Sequence, residues 1–263
     1  MNFHSLVIVM DKKQQEIVKK ARVKEEEILR QARDLYNKGQ YRDAIEVIEK
    51  QGDPFGVFSR GATIEAFRLL GWAYYYKGIK GPEKEKPAQM RLAEQCFVNA
   101  LDILDGWKTL SPDEIEQKIS VFNGYPLVLW ILGQKKEALE FNAATIKEFP
   151  NRSSVWNTRS ILFRWAGKHE ESVAVCKKVS EIAATEENFR TAGHGKHNKG
   201  DALRTLGRID EAKEVYHEAL NFYKIFQKKT GESAKMHIEG CVKNLNNLKN
   251  NSRLFLFDFC FCL

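Results

Sequence analysis

The chain has 263 residues, 43% hydrophobic and 29% charged, with only 17 glycines and 6 prolines and a net charge of +7. That composition excludes a disordered or low-complexity chain, and no stretch approaches the ~18 apolar residues of a membrane-spanning helix. Five irregularly spaced cysteines, Cys96, Cys176, Cys241, Cys260 and Cys262, exclude a disulfide framework.

Residues 1–10, MNFHSLVIVM, lack a basic start and hold only a short apolar run. They are expected to be disordered and not a signal peptide, which leaves the chain intracellular and cytoplasmic, with Met10 as an alternative start. From Asp11 to Lys38 one long helix is expected, with Ile17, Ala21, Ile28, Ala32 and Leu35 on one side. GQYRDAIE at 39–46 then opens a second helix. A further pair is expected around Phe67, Leu70, Gly71 and Tyr74, a turn at Gly78, and Ala93, Phe97 and Ala100, with residues 81–90, GPEKEKPAQM, as a solvated loop or extended turn. Ser111-Pro112-Asp113-Glu114 has the serine cap, first-turn proline and glutamate of a capping box, so a helix is expected to start there. GQKKEALE at 133–140, GKHEESVA at 167–174 and GRIDEAKE at 207–214 mark three more glycine turns followed by helices. A last amphipathic helix, 232–249, carries Ala234, Ile238, Cys241, Leu245 and Leu248 on one stripe and is expected to cover the end of the array. The apolar tail 251–263 reads three ways: a strand-like packed segment, the outline of a prenylation box at Cys260-Phe261-Cys262-Leu263, or an artefact of how the end of the gene was assigned.

The four glycine stretches share a rule: Gly, mostly polar residues with one acid, then a small residue. The small positions, Ala44, Ala93, Ala138, Ser172 and Ala212, with Gly71 and Gly200 on the preceding helices, are expected where two helices cross closely. Phe97 and Tyr216 would fill wider gaps, and Pro150 would end a helix. Units start near Glu25, Ile64, Ile119, Ser153 and Gly193. In the third unit Pro126 stands where a small residue belongs. The pattern resembles the tetratricopeptide repeat family, with its period of about 34 residues, over roughly residues 25–226. The resemblance implies an all-α, right-handed superhelical solenoid of about five helix pairs (25–51, 64–104, 119–150, 153–183 and 193–226) within a repeat domain of 11–250, capped at both ends.

No P-loop, dinucleotide fingerprint, HExxH or GxSxG is present, so neither catalytic residues nor a cofactor is expected. His194 and His197 lie three apart without a neighbouring carboxylate or cysteine in sequence, a poor metal site. Cys176 falls on a packed stripe and reads as core. The resemblance implies instead a concave groove lined by first helices, holding a peptide or helix of a protein partner. The inward positions expected are Leu29, Arg33, Tyr36, Arg68, Trp72, Tyr75, Asn123, Leu127, Trp130, Asn157, Ile161, Arg164, His197, Asp201 and Arg204. Aromatic rings offer contact area at low entropy cost, asparagines bond a peptide backbone, and arginines favour acidic groups, so the expected partner segment is acidic and apolar. Trp72, Tyr75 and Trp130 are expected on one surface near Asn123 and Arg164. The Lys-Asn-Asn-Lys-Arg arrangement that clamps acidic chaperone C-termini in part of the family is not found. The alternative is a helical repeat that binds RNA or another nucleic acid, favoured by an isoelectric point near 9.0. Against it, residues 221–253 hold seven Lys or Arg against two Glu, so most of the excess charge is C-terminal rather than spread along the inferred groove.

Overall fold

The computed structural model describes residues 12–106 and 108–259, with side-chain environments for 14–106 and 108–248. Residues 1–10, expected to be disordered, and the last four residues of the tail lie outside the described residues. Among the described residues the chain is all helix: α1 (Lys12–Asn37), α2 (Tyr41–Glu49), α3 (Pro54–Val57), α4 (Arg60–Lys80), α5 (Lys86–Asp105), α6 (Pro112–Ile131), α7 (Lys135–Glu148), α8 (Ser153–Trp165), α9 (His169–Thr185), α10 (Phe189–Thr205), α11 (Ile209–Thr230) and α12 (Lys235–Phe259), plus a 3-10 turn at Glu83–Glu85. No helix among them is long and apolar enough to cross a membrane. The chain divides into two compact units, residues 1–124 and 125–263, with the boundary inside α6.

In the first unit α1 packs on α2, both pack on α4, and α4 lies along α5. In the second unit α7 packs on α8, α8 on α9, α9 and α8 on α10, α10 on α11, and α11 on α12. Four of the connections are the same turn. Gly39, Gly133, Gly167 and Gly207 have φ of 77°, 91°, 74° and 77°, a left-handed conformation that a side chain would strain. At Gly207 the amide bonds the carbonyl of Arg204 and the next amide, Arg208, bonds that of Leu203, so the carbonyls left open at the end of α10 are satisfied before α11 begins. The second turn expected from the sequence, at Gly78, is absent. Gly78 lies inside α4, where a Cβ would sit 2.5 Å from the Met90 side chain; the chain turns instead at Gly81 and Pro82. The expected loop at 81–90 is correspondingly shorter, because α5 starts at Lys86.

α6 begins as its sequence dictates. The Glu114 amide donates to Ser111 Oγ at 3.3 Å and the Ser111 amide donates to Glu114 Oε2 at 2.9 Å, a reciprocal box that satisfies two end donors. α11 stops at Gly231, left-handed at φ 73°, and α12 starts at Lys235 rather than 232. α12 continues to Phe259, so the described part of the tail is helical where a strand-like segment was one expectation. α3, a four-residue helix capped by the Asp53 carboxylate, has no counterpart in the sequence reading.

The packing rule is an aromatic ring seated against a glycine of the facing helix. On Gly200 (α10) a Cβ would lie 2.6 Å from the Tyr216 ring of α11, and on Gly193 2.6 Å from the Tyr223 ring. Phe97 of α5 is held on two sides: a Cβ would lie 2.5 Å from it on Gly71 of α4 and 2.5 Å from it on Gly124 of α6. The close approach in α6 is therefore Gly124, not the position of Pro126, which is buried two residues further along. Ala212 and Ala219 of α11 are fully buried in the same cluster as Tyr216 and Tyr223.

Two substitutions separate ring seating from helix propensity. Glycine to alanine inside a helix normally gains up to about 1 kcal/mol. Gly61→Ala, with open space around it, is expected to follow that rule, whereas Gly200→Ala is expected to lower stability by about 1–3 kcal/mol because the buried Tyr216 ring must move. Ala212→Leu should cost a similar amount. Denaturant midpoints of the three variants check this, and equal gains at Gly61 and Gly200 would remove the ring-seating account.

Candidate functional site

In the first unit three of the residues expected to face a groove, Tyr36, Trp72 and Tyr75, belong to one aromatic cluster. α1 ends with Tyr36 and α2 begins with Tyr41, brought together by the Gly39 turn, with ring centroids 5.6 Å apart. α4 adds Trp72, Tyr75 and Tyr76. Tyr76 lies 6.1 Å from Tyr36, stacks on Tyr41 at 5.2 Å and on Trp72 at 5.9 Å, and meets Tyr75 edge-on at 5.1 Å. The Trp72 ring meets Phe97 edge-on at 5.8 Å, and its indole N–H donates to Ser120 Oγ of α6 at 3.1 Å. Lys80 Nζ stands 4.9 Å above the Tyr41 ring. Tyr41 and Tyr75 are buried, while Tyr36, Trp72 and Tyr76 keep part of their surface in solvent. Trp72 and Tyr76 are one helical turn apart and so share a face of α4. Tyr76 was missing from the sequence reading, which took Tyr75 from the run Tyr74-Tyr75-Tyr76; the i, i+4 relation to Trp72 was the signal available.

The arginines beside this cluster are paired within the chain. Arg33 Nε and a terminal guanidinium nitrogen donate to Glu65 Oε1 at 2.9 and 2.6 Å, and Arg68 reaches the same carboxylate at 3.6 Å. Burial holds the Arg68 guanidinium below its ordinary value, partly offset by Glu65. Arg33 retains more solvent access than Arg68. Leu29 is buried in the core and Asn123 is half-buried in α6.

In the second unit Asp201 of α10 is a hub. Its carboxylate accepts from Arg164 of α8 at 2.9 Å, from the Tyr216 hydroxyl of α11 at 2.6 Å and from Asn244 of α12 at 3.0 Å. Burial, together with the Asp201 charge, pushes the Tyr216 phenol well up from its ordinary value. Asn198 donates to the buried Asn157 side chain at 2.9 Å and accepts from Arg164 at 3.4 Å. Leu127 is buried, Ile161 is half-buried, and Arg204 is exposed near the end of α10. Trp130 is half-buried, 6.4 Å from the Trp165 ring, with Lys135 Nζ 5.6 Å from its own. His197 gains neighbours that its sequence surroundings hid, with Cys241 Sγ 3.3 Å from Nδ1 and Asn244 3.2 Å from Nε2. Among the described residues no group of three His, Cys, Asp or Glu is arranged to hold a metal ion. Cys176 is buried, and burial pushes its thiol up to about 11, which leaves it almost wholly protonated near neutrality.

Comparison with known proteins places the repeat. Residues 194–224, covering most of α10 and much of α11, match the family profile described as tetratricopeptide repeat. No curated protein matches the sequence. The fold is similar to that of a Podosopora anserina protein of nearly identical TPR-like repeats, described as a kinesin light chain, at 18% identity and a TM-score of 0.51, covering 81% of this chain and 98% of that one. It is also similar to PlcR of Bacillus thuringiensis, solved in complex with the peptide PapR7 and DNA, at 14% identity and a TM-score of 0.57, covering 81% of this chain and 75% of that one. At these identities the likeness shows the fold.

The Asp201 hub gives a prediction on stability. Asp201→Ala leaves the Arg164 guanidinium, the Tyr216 hydroxyl and the Asn244 amide without their shared acceptor, and is expected to cost about 3 kcal/mol. Asp201→Asn, which keeps one acceptor oxygen, should cost less. Urea unfolding of both variants tests the order, and an unchanged midpoint in Asp201→Ala would show that the hub does not join the helices.

Proposed function

We propose that this chain, whose residues 194–224 match a tetratricopeptide repeat and whose fold is similar to that of TPR-like repeats, works as a non-catalytic scaffold whose first unit holds a peptide or helix of a partner protein on the Tyr36–Trp72–Tyr76 surface. The observation that carries this reading is the half-exposed aromatic cluster itself. Three rings from two helices meet in series, Tyr36 tilted against Tyr76 and Tyr76 stacked on Trp72, fixed from beneath by the buried Tyr41, Tyr75 and Phe97. Rings already held in place lose little entropy when a ligand covers them, which is the property of an interface anchor.

The charges around the cluster suggest the ligand. Lys80 over the Tyr41 ring and the partly exposed Arg33 would favour carboxylates beside an apolar anchor, so the partner segment is read as apolar with acidic residues. Arg68 contributes less, because its charge is buried against Glu65. In the second unit Trp130, Ile161 and Arg204 retain surface for further contacts, whereas Leu127 and Asn157 support from within and Arg164 is tied to Asp201. The protein would then act by position, bringing together what it binds, and PlcR supports the reading to the extent that this similar fold is seen with a peptide bound. That structure also contains DNA, which is why nucleic acid belongs in the test.

Peptides selected on the full chain from a display library are expected to be apolar and acidic. Trp72→Ala and Tyr76→Ala should each weaken the best of them by about 2 kcal/mol, roughly 30-fold, in calorimetry. Affinity should fall only modestly between about 50 and about 200 mM salt. Tight binding of single-stranded RNA that drops by orders of magnitude over that range and ignores both substitutions would favour the nucleic-acid reading instead.

A further inference from the structure

The last helix is seated on the array through a pair of histidines. His194 of α10 and His237 of α12 face each other with Nε2 atoms 3.4 Å apart and ring centroids 4.5 Å apart. Tyr223 of α11 stacks on His237 at 5.1 Å and lies 5.6 Å from His194, so three helices meet at these rings. One turn on, His197 meets Cys241 and Asn244 of α12, and the Gly240 backbone passes close to the His197 ring. Ala234, Cys241, Leu245 and Leu248 supply the apolar part of the seat, in one cluster with Tyr216, Tyr223 and Phe226.

We propose that α12 is a cap released by acid: as the pH falls below about 6.5, proton uptake at the His194–His237 pair detaches α12 from α10 and α11 while the helix pairs beneath stay folded. The inference is separate from the proposed partner surface, which lies on the other unit.

The geometry works through what faces each ring. Two neutral imidazoles can share one N–H between their Nε2 atoms. A first added proton places a cation in a half-buried site, and a second places two cations 3.4 Å apart. The charged and titratable groups around His194 are Arg190 and His197 on its own helix, His237 on α12 and Tyr223 on α11. From α9 the neighbouring turn of α10 meets the apolar Val179, against Gly195. Burial is the main influence on His194, and His237, Arg190 and His197 each add to it, so the imidazole is held well below its ordinary value.

The sign follows. A base whose value is lowered on docking stabilises the docked state in full above its undocked value, about 6.5, and that contribution is lost as the pH falls toward the docked one. His197 is a weaker trigger. Burial lowers it and so does Arg164, but Asp201, 3.9 Å away, would accept its cation. Release uncovers the Tyr216–Tyr223–Phe226 edge of α11, an apolar surface closed at neutral pH.

Hydrogen exchange of the full chain, corrected for the intrinsic rate, tests this at about pH 7.5 and about pH 5.5. Protection across 235–248 is expected to fall at least tenfold at the lower pH, while 153–185 stays protected. His237→Phe keeps a ring against Tyr223 but takes up no proton, and should abolish the acid response of 235–248. Were that variant undocked at both pH values, His194→Phe is read in its place and should show the same loss of response. Equal protection of the natural chain at both pH values overturns the proposal. So does an acid response that survives the substitution, or loss of protection at 153–185 in step with 235–248.

Discussion

The structure depends on an aromatic ring on one helix resting where the facing helix has no side chain. Without Gly200 there is no room for Tyr216, and without Gly193 none for Tyr223. The seating fixes the distance between α10 and α11, and with it the place of everything attached to them. The Tyr216 hydroxyl reaches Asp201 because its ring lies against Gly200, and Tyr223 presents its ring to His194 and His237 because it lies against Gly193. The polar contacts of the second unit are thus arranged by an apolar constraint. Hydrogen bonds at such sites contribute about 1 kcal/mol net each, and their geometry is set by the packing around them.

The same constraint produces the aromatic surface of the first unit. Gly71 and Gly124 hold Phe97, Phe97 supports the edge of Trp72, and Trp72 and Tyr76 stack on one face of α4. The half-exposed rings are therefore the outer layer of a stack whose inner layer is core. That arrangement distinguishes them from scattered surface aromatics, which lack a fixed pose.

Much of the fold was legible because its signals are short. A glycine that must be left-handed, with a small buried residue a few positions later, is a pattern within ten residues, and Gly39, Gly133, Gly167 and Gly207 all carry it. Gly78 shares the residue type but not the conformation, since a glycine required by packing and one required by a turn look the same in sequence. The Pro126 assignment failed for a related reason, because the needed small residue, Gly124, sits two positions earlier and its partner ring is 27 residues away. The site was less legible. Arg33 reads as a free cation until Glu65 is found 32 residues on, and Arg164 until Asp201 is found 37 residues on. Glu25 with Ser59 and Ser153 with Glu186 are spaced by 34 and 33. Partners recur at about one repeat length, so local reading overlooks them while comparison of aligned units would reveal them.

Phe97 belongs to α5, yet glycines from both α4 and α6 close around it. In sequence a repeat ends at a turn; here the physical joint lies inside a side chain that two successive helix pairs own in common. Nearest-neighbour descriptions of repeat proteins assign one energy to each unit and another to each interface. For this ring the two assignments cannot be separated, because the atoms that stabilise the pair are the atoms that attach it to the next. At Phe97 the physical module is therefore a ring with its two glycines, offset by half a repeat from the module written in the sequence.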